Sequence, residues 1–154
     1  MIMTDKLEAI LWSIALPGFA QLLNRKFVKG IVFIFLELLV NVNSHFNIVI
    51  LHSFQGNIRE AIEATNYQWL MFYPCLYMFA MWDAYKDAEG ETPPYSYLPF
   101  VFSAYFVTIG LIYSPALKLG QILLGPVWLP ILSLFPGLLI GHLLKCMLMR
   151  IKVQ

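Results

Sequence analysis

Long apolar runs separated by short polar segments make up most of the chain. Four of these runs have about the 20 residues that an α-helix needs to cross the hydrocarbon core of a bilayer. They cover residues 30–54, 67–85, 95–114 and 119–149. The last run is long enough to tilt or break, and its three prolines, Pro126, Pro130 and Pro136, favour a break. The pattern therefore predicts four spanning helices.

A shorter apolar segment, residues 7–23, precedes the four runs and bends at Pro17-Gly18. A loop with three positive charges follows it: Arg25, Lys26 and Lys29. The segment either crosses the membrane or enters it and returns on the same side. The bend and the short run favour a helix that crosses obliquely.

The positive charges predict the orientation, because lysine and arginine accumulate in cytoplasmic loops. If the loop after residue 23 is cytoplasmic, the cytoplasmic side carries Arg25, Lys26, Lys29, Lys86, Lys145, Arg150 and Lys152. The outside carries Arg59 and Lys118, and also Lys6 if the first segment crosses. Seven charges against three predict a cytoplasmic C-terminus, and re-entry changes the count to eight against two.

The loop between the first two runs, residues 55–68, has a helical pattern of its own. Ile58, Ala61 and Ile62 recur at the spacing of one helix face. The charged residues opposite them are Arg59, Glu60 and Glu63. We expect a short helix that lies on the outer membrane surface.

Composition agrees with a membrane protein. The 154 residues are 60% apolar and 12% charged, against about 45–50% and 25% in soluble domains. Ten basic and nine acidic residues give no positive field that would attract nucleic acid, so we exclude nucleic-acid binding. The length is that of one domain, residues 1–154, and the lipid bilayer is its first expected partner.

Glu37 is the most informative single residue, because it lies among Ile, Phe and Leu inside the first long run. Asn41, Ser44 and His45 follow it on the same helix face and extend a polar stripe toward the outer end. One hypothesis is that a protonated or hydrogen-bonded Glu37 stabilises helix packing. The other is a proton or cation path in which Glu37 titrates and His45 relays.

The sequence WDAYKDAEGE, residues 82–91, closes the second long run. Asp83 and Asp87 share one helix face, Lys86 is adjacent, and the following EGETPP is typical of a solvated helix terminus. Such a pair can also bind a metal or exchange protons, but no third ligand is near. We expect no metal, no cofactor and, since no catalytic motif occurs, no enzyme.

Two stretches resemble small bacterial multi-pass membrane proteins related to the two-transmembrane-helix domain family. Their hairpin motif, Pro-Gly-x-Gly-Gln, Tyr-Asn-Gly and Lys-Gly, is matched by Pro17, Gly18, Gln21, Asn24, Lys29 and Gly30. Their Asp-Ala-Tyr-Arg-x-Ala ending is matched by Asp83, Ala84, Tyr85, Lys86 and Ala88. Ala20, Leu23 and Arg25 depart from the family pattern and remove its Asn-Gly turn. The resemblance implies an N-terminal membrane hairpin in a family whose members mostly lack an assigned activity.

The sequence thus predicts an all-α, polytopic protein of the cell membrane, with four spanning helices, a short N-terminal segment and a cytoplasmic C-terminus. Its expected function is non-enzymatic. It would pack against itself or a partner membrane protein through the Glu37 stripe and the Pro-Gly hairpin. The alternative is a small ion-coupled transporter or channel subunit in which Glu37 carries the coupling charge.

Overall fold

The computed structural model describes residues 4–153, which fold into helices and one two-stranded hairpin. The first helices are α1 (Lys6–Ala15), α2 (Phe19–Leu23), α3 (Phe27–Ser44), α4 (Phe46–Phe54) and α5 (Ile58–Ala64). The rest are α6 (Tyr67–Leu70), α7 (Tyr73–Asp87), α8 (Leu98–Tyr113) and α9 (Gly125–Val153). The strands β1 (Lys118–Leu119) and β2 (Ile122–Leu123) pair antiparallel between α8 and α9. The predicted all-α class is therefore confirmed.

Two helices are long and apolar enough to cross a membrane: Phe27–Ser44 and Gly125–Ile151. In each, 28% of the most apolar 18-residue stretch is buried. The core helix of a soluble protein would bury most of such a stretch, whereas these two expose large apolar side chains such as Phe35 and Leu139. The third predicted run forms α8, a shorter apolar helix.

The first predicted helix, residues 30–54, is two helices in the structure. α3 ends at Ser44, His45 adopts a left-handed conformation with φ of 59°, and α4 begins at Phe46. The Ser44 carbonyl accepts from the Asn66 N–H at 3.2 Å, and the His45 Nδ1 lies 3.2 Å from the Ala64 carbonyl. Contacts with a later segment thus stabilise the break.

The segment between the first two runs contains the short helix that the pattern predicted. α5 buries Ala61 and exposes Arg59 and Glu60. Val49 of α4, Ala61 and Val127 of α9 form a small apolar core, so α4 and α5 pack against the beginning of α9. The second predicted run is divided into α6 and α7 by a short turn ahead of Pro74.

Of the two alternatives for the fourth run, tilting and breaking, a break at Pro130 or Pro136 does not occur. α9 is continuous over 29 residues and contains Pro130 and Pro136. Its beginning also differs, because residues 118–123 form the strand hairpin. A proline in an apolar helix is tolerated where neighbouring helices support it, and α8 lies along α9.

Glycines allow that close approach. An added Cβ at Gly110 of α8 would lie 2.3 Å from the Ser133 Oγ, and one at Gly137 would lie 2.7 Å from the Phe102 carbonyl oxygen. An added Cβ at Gly141 would lie 2.5 Å from the Pro99 Cα. Gly137 and Gly141 form a G-x-x-x-G pattern, which brings helix backbones together in membranes.

The opening segment does not run across the bundle as one oblique helix. α1 has ten residues and is about 15 Å long, half the thickness of a hydrocarbon core. The chain reverses through Pro17 and Gly18, which has a φ of 99°, and returns as α2. The Asn24 Oδ1 then accepts from the Thr4 N–H and the Thr4 hydroxyl, each at 2.9 Å. Since the two ends of the segment touch, it is a helical hairpin.

Candidate functional site

The hairpin packs against the beginning of α3 through two glycines. An added Cβ at Gly18 would lie 2.5 Å from the Gly30 carbonyl oxygen, and one at Gly30 would lie 2.5 Å from the Leu22 Cδ2. Pro17 is buried beside Gly18. These residues of the predicted hairpin motif therefore serve a close contact between α2 and α3.

Gln21 joins the hairpin to α7. Its side chain is fully buried, and its Nε2 donates to the Ala80 carbonyl at 2.8 Å. The same nitrogen lies 3.3 Å from the Asp83 Oδ2. A buried amide that bonds a helix backbone and a carboxylate orients both.

Lys29 bridges the two aspartates of α7. Its Nζ lies 2.7 Å from the Asp83 Oδ1 and 2.7 Å from the Asp87 Oδ2. The Lys29 side chain is 45% exposed, whereas the aspartate side chains are 14% and 17% exposed. The prediction that the two aspartates are solvated is therefore wrong, because both carboxylates are largely buried and paired with one ammonium. Glu89, Gly90 and Glu91, which follow the helix, are exposed as predicted.

Lys6 ties the N-terminal end of α1 to the loop after α7. Its Nζ donates to the carbonyls of Tyr85 and Ala88 and to the Thr92 hydroxyl, each at 2.9 Å. It also lies 5.0 Å from the centroid of the Tyr85 ring. The loss of hydration on partial burial lowers the pKa of Lys6, and the nearby Asp87 carboxylate opposes this shift. The Glu89 N–H donates to the Thr4 carbonyl at 3.0 Å and closes the same junction.

Small side chains underlie these polar contacts. Ala9 of α1, Ala20 of α2, Ala84 of α7 and Ala88, which follows α7, form one buried cluster. The hairpin stretch and the WDAYKDA stretch thus meet in one place. We call this place the hairpin cluster and define it by Thr4, Lys6, Gln21, Asn24, Lys29, Asp83 and Asp87.

One predicted member lies apart from the hairpin cluster. Lys86 is exposed, and it lies to one side of the α7 face that Asp83 and Asp87 share. Tyr85 takes part through its carbonyl and its ring rather than its hydroxyl. Sequence reasoning missed Thr4 and Thr92, for which the pattern carries no signal, and treated Lys6 only as a charge.

The Glu37 stripe is shorter than predicted. Glu37 is buried, and its Oε1 lies 3.4 Å from both the Asn41 Nδ2 and the Tyr73 hydroxyl, which are long distances for hydrogen bonds. Ser44 is fully buried on the same face. His45 does not extend the stripe, because it ends α3 in a left-handed conformation and is exposed.

An aromatic pair on α7 faces Glu37. The rings of Tyr73 and Tyr77 stack with centroids 5.5 Å apart, and the Tyr77 hydroxyl donates to the Ile14 carbonyl of α1. The four-residue spacing of these tyrosines places them on one face of α7. This spacing of two tyrosines is the sequence feature that could have indicated a hydrogen-bond partner for Glu37.

Phe33 separates the Glu37 stripe from the hairpin cluster. It lies between Lys29 and Glu37 on α3, which are eight residues or about 12 Å apart along the helix. The Phe33 side chain is buried, and its ring packs edge-on against the Phe79 ring, with the ring centroids 5.9 Å apart. The two polar groups are therefore separate within the bundle.

No protein-family model matches the chain, and no curated protein or solved structure matches it. Within residues 4–153, no group of three or more His, Cys, Asp and Glu side chains has the arrangement of a metal site.

Three cavities add to this description. An apolar cavity of about 190 Å³ lies between α7 and the α8–α9 pair, and an apolar groove of about 400 Å³ lies between α7 and α8. The third, of about 370 Å³, is polar and lies at the other end of the bundle from the hairpin cluster, between α5 and the strand hairpin.

Proposed function

We propose that the chain is a four-span protein of the cell membrane. The spans are α3, α6 with α7, α8 and α9, and the α1–α2 hairpin re-enters from the cytoplasmic side. The contact between Thr4 and Asn24 supports this arrangement, because it holds both ends of the hairpin at one level. Lys6 then joins the cytoplasmic charges, and the count becomes eight against two. The C-terminus is cytoplasmic.

The function we propose is non-enzymatic: a small membrane interaction module that packs against itself or a partner membrane protein. One observation carries this proposal. Nearly all chemistry-bearing side chains of the two motifs contact other parts of the same chain, as Lys29, Asp83 and Gln21 do. The outward faces of α3 and α9 are apolar instead. A rigid polar interior with apolar outer faces suits contact with lipid and neighbouring helices.

Site-specific photocrosslinking in living cells tests the interaction. The crosslinking amino acid replaces Phe35 on α3 or Leu139 on α9, which are 62% and 60% exposed. A crosslink at either position to a second copy or to one defined membrane protein is expected. Glu91, exposed in the loop after α7, is the control position. Crosslinks to lipid alone at Phe35 and Leu139 would contradict the proposal.

The second candidate is the ion-coupled transporter or channel subunit. The observation in its favour is the burial of Glu37 beside the Tyr73 hydroxyl and the Asn41 amide, a set that can stabilise a proton or cation. Against it, Phe33 interrupts the polar side chains between Glu37 and Lys29.

Glu37→Gln separates the two candidates. Glutamine keeps an acceptor for Tyr73 but carries no titrating proton. As a packing residue, Glu37 tolerates this change with an unfolding temperature within a few degrees of the native protein. As a coupling residue, it does not, and ion-dependent flux into proteoliposomes would fall to background. Measurable flux that Glu37→Gln abolishes would overturn the interaction module in favour of the transporter.

A further inference from the structure

The polar cavity at the outer end holds two positive charges that are distant in sequence. Arg59 at the beginning of α5 and Lys118 of β1 both line it, together with Asn57, Glu60 and Gln121. Under the proposed orientation, Arg59 and Lys118 are all of the positive side-chain charge outside the membrane. Their meeting in one cavity of about 370 Å³ is the feature that the proposed function leaves unused.

The two walls of this cavity, α5 and the strand hairpin, are supported by contacts among α4, α5 and α9. The Trp128 Nε1 of α9 donates to the Ser53 carbonyl of α4 at 3.1 Å. An added Cβ at Gly125 would lie 2.7 Å from the Ile58 Cγ2, so the beginning of α9 touches α5 directly. The cavity is therefore a built feature of the fold, since both walls rest on the same packed helices.

The strand hairpin presents two different faces. Lys118 pairs with Leu123, and Leu119 pairs with Ile122, so each pair lies on its own side of the ribbon. Lys118 and Leu123 line the cavity. Leu119 and Ile122 point away from it and are 53% and 67% exposed. The ribbon thus has a cationic face toward the cavity and an apolar face outward.

The net charge of the cavity indicates which class of ligand it would bind. Two cations against Glu60 leave the cavity positive, and within residues 4–151 neither Arg59 nor Lys118 forms an ion pair. The amides of Asn57 and Gln121 add neutral hydrogen-bond donors. A guanidinium, an ammonium and amide donors together fit a phosphate group.

The apolar ribbon face indicates the source of that phosphate. Leu119 and Ile122 would insert among acyl chains, which brings Lys118 to the depth of the lipid headgroups. We propose that the cavity binds the phosphate of an anionic phospholipid in the outer leaflet, held by Arg59 and Lys118. The proposal rests on the membrane orientation given above.

Native mass spectrometry of the full chain in mild detergent, with phosphatidylglycerol added, tests this site. The native protein retains one tightly bound phosphatidylglycerol. The double variant Arg59→Gln and Lys118→Gln binds phosphatidylglycerol at least about tenfold more weakly, because two charge-assisted hydrogen bonds are lost. Glu60→Gln strengthens binding, because it removes the opposing charge. Lys86→Gln, an exposed cation at the other end, is the matched control and leaves binding unchanged.

The outcomes discriminate clearly. Displacement of phosphatidylglycerol by millimolar inorganic phosphate supports the phosphate site and makes free phosphate its ligand, whereas resistance to displacement assigns the lipid headgroup. Equal retention by the double variant, or equal loss in Lys86→Gln, overturns the proposal. Failure of the orientation is observed separately, as protection of Glu63→Cys on α5 from a membrane-impermeant maleimide in intact cells.

Discussion

At the scale of single residues, Lys29 has the most clearly defined role. One ammonium lies 2.7 Å from two carboxylates that are mostly shielded from water. Asp83 and Asp87 are one helical turn apart and would repel each other without a cation between them. Lys29 thus joins α3 to α7 and offsets the repulsion between the two aspartates.

Lys29→Met should destabilise the protein by about 1–2 kcal/mol. Removal of one partner of a buried ion pair costs about 3–5 kcal/mol, and the exposure of Lys29 reduces this figure. The measurement is unfolding of the purified protein in detergent. Adding Asp83→Asn should restore part of the loss, because it removes the repulsion. Lys86→Met, on the exposed side of α7, is the control, and an equal loss there would contradict the role of Lys29.

Gly18 allows a contact test with a closely matched control. Gly18 and Gly90 have φ values of 99° and 96°, but only Gly18 has neighbours within 4 Å of an added Cβ. Gly90→Ala should cost about 1–2 kcal/mol from backbone strain alone. Gly18→Ala should cost about 1–3 kcal/mol more, because its Cβ would clash with the Gly30 carbonyl oxygen. Equal unfolding temperatures for the two variants would exclude the close packing of α2 on α3.

Sequence reasoning recovered part of the hairpin cluster at this scale. The four-residue spacing placed Asp83 and Asp87 on one face, because that relation is local to a helix. Their partner Lys29 lies 54 residues before Asp83 and 58 residues before Asp87. This pairing depends on how α3 packs against α7. The spacing of residues within either motif gives no information about that packing. The environment of the aspartates was therefore predicted as solvent.

At the scale of elements, the apolar runs predicted most helices and missed their internal breaks. The run 95–114 became α8 with nearly the same ends. The hydropathy of the run 30–54 does not indicate that α3 ends at Ser44, because apolar residues resume at once with Phe46. The break depends on the bond between Ser44 and Asn66, which only the folded chain supplies. Hydropathy measures the partition of a segment into lipid and does not report such contacts.

The contact between α8 and α9 gives a prediction of its own. Gly141→Ala should cost about 1–3 kcal/mol, because the added Cβ would lie 2.5 Å from the Pro99 Cα and 2.6 Å from the Leu98 carbonyl oxygen. Leu139→Ala, on the exposed face of α9, should change stability by well under 1 kcal/mol in detergent or lipid. The measurement is again thermal unfolding. A larger loss in Leu139→Ala than in Gly141→Ala would show that α9 packs through another face.

At the scale of the whole molecule, the chain is a helical bundle with polar contacts at its two ends and apolar outer faces. The hairpin cluster closes one end through α1, α2, α3 and α7. The phosphate cavity proposed at the other end lies between α5 and the strand hairpin. In the orientation that we propose, the hairpin ends lie in the cytoplasm and α5 lies outside.

Cysteine labelling in intact cells tests that orientation most directly. Cys75 and Cys146 are first replaced by alanine, and single cysteines are placed at exposed positions: Asp5 before α1, Glu63 on α5 and Glu91 after α7. A membrane-impermeant maleimide should label Glu63→Cys in intact cells, and Asp5→Cys and Glu91→Cys only after permeabilisation. Labelling of Asp5→Cys from outside while Glu91→Cys stays protected would contradict the re-entrant hairpin.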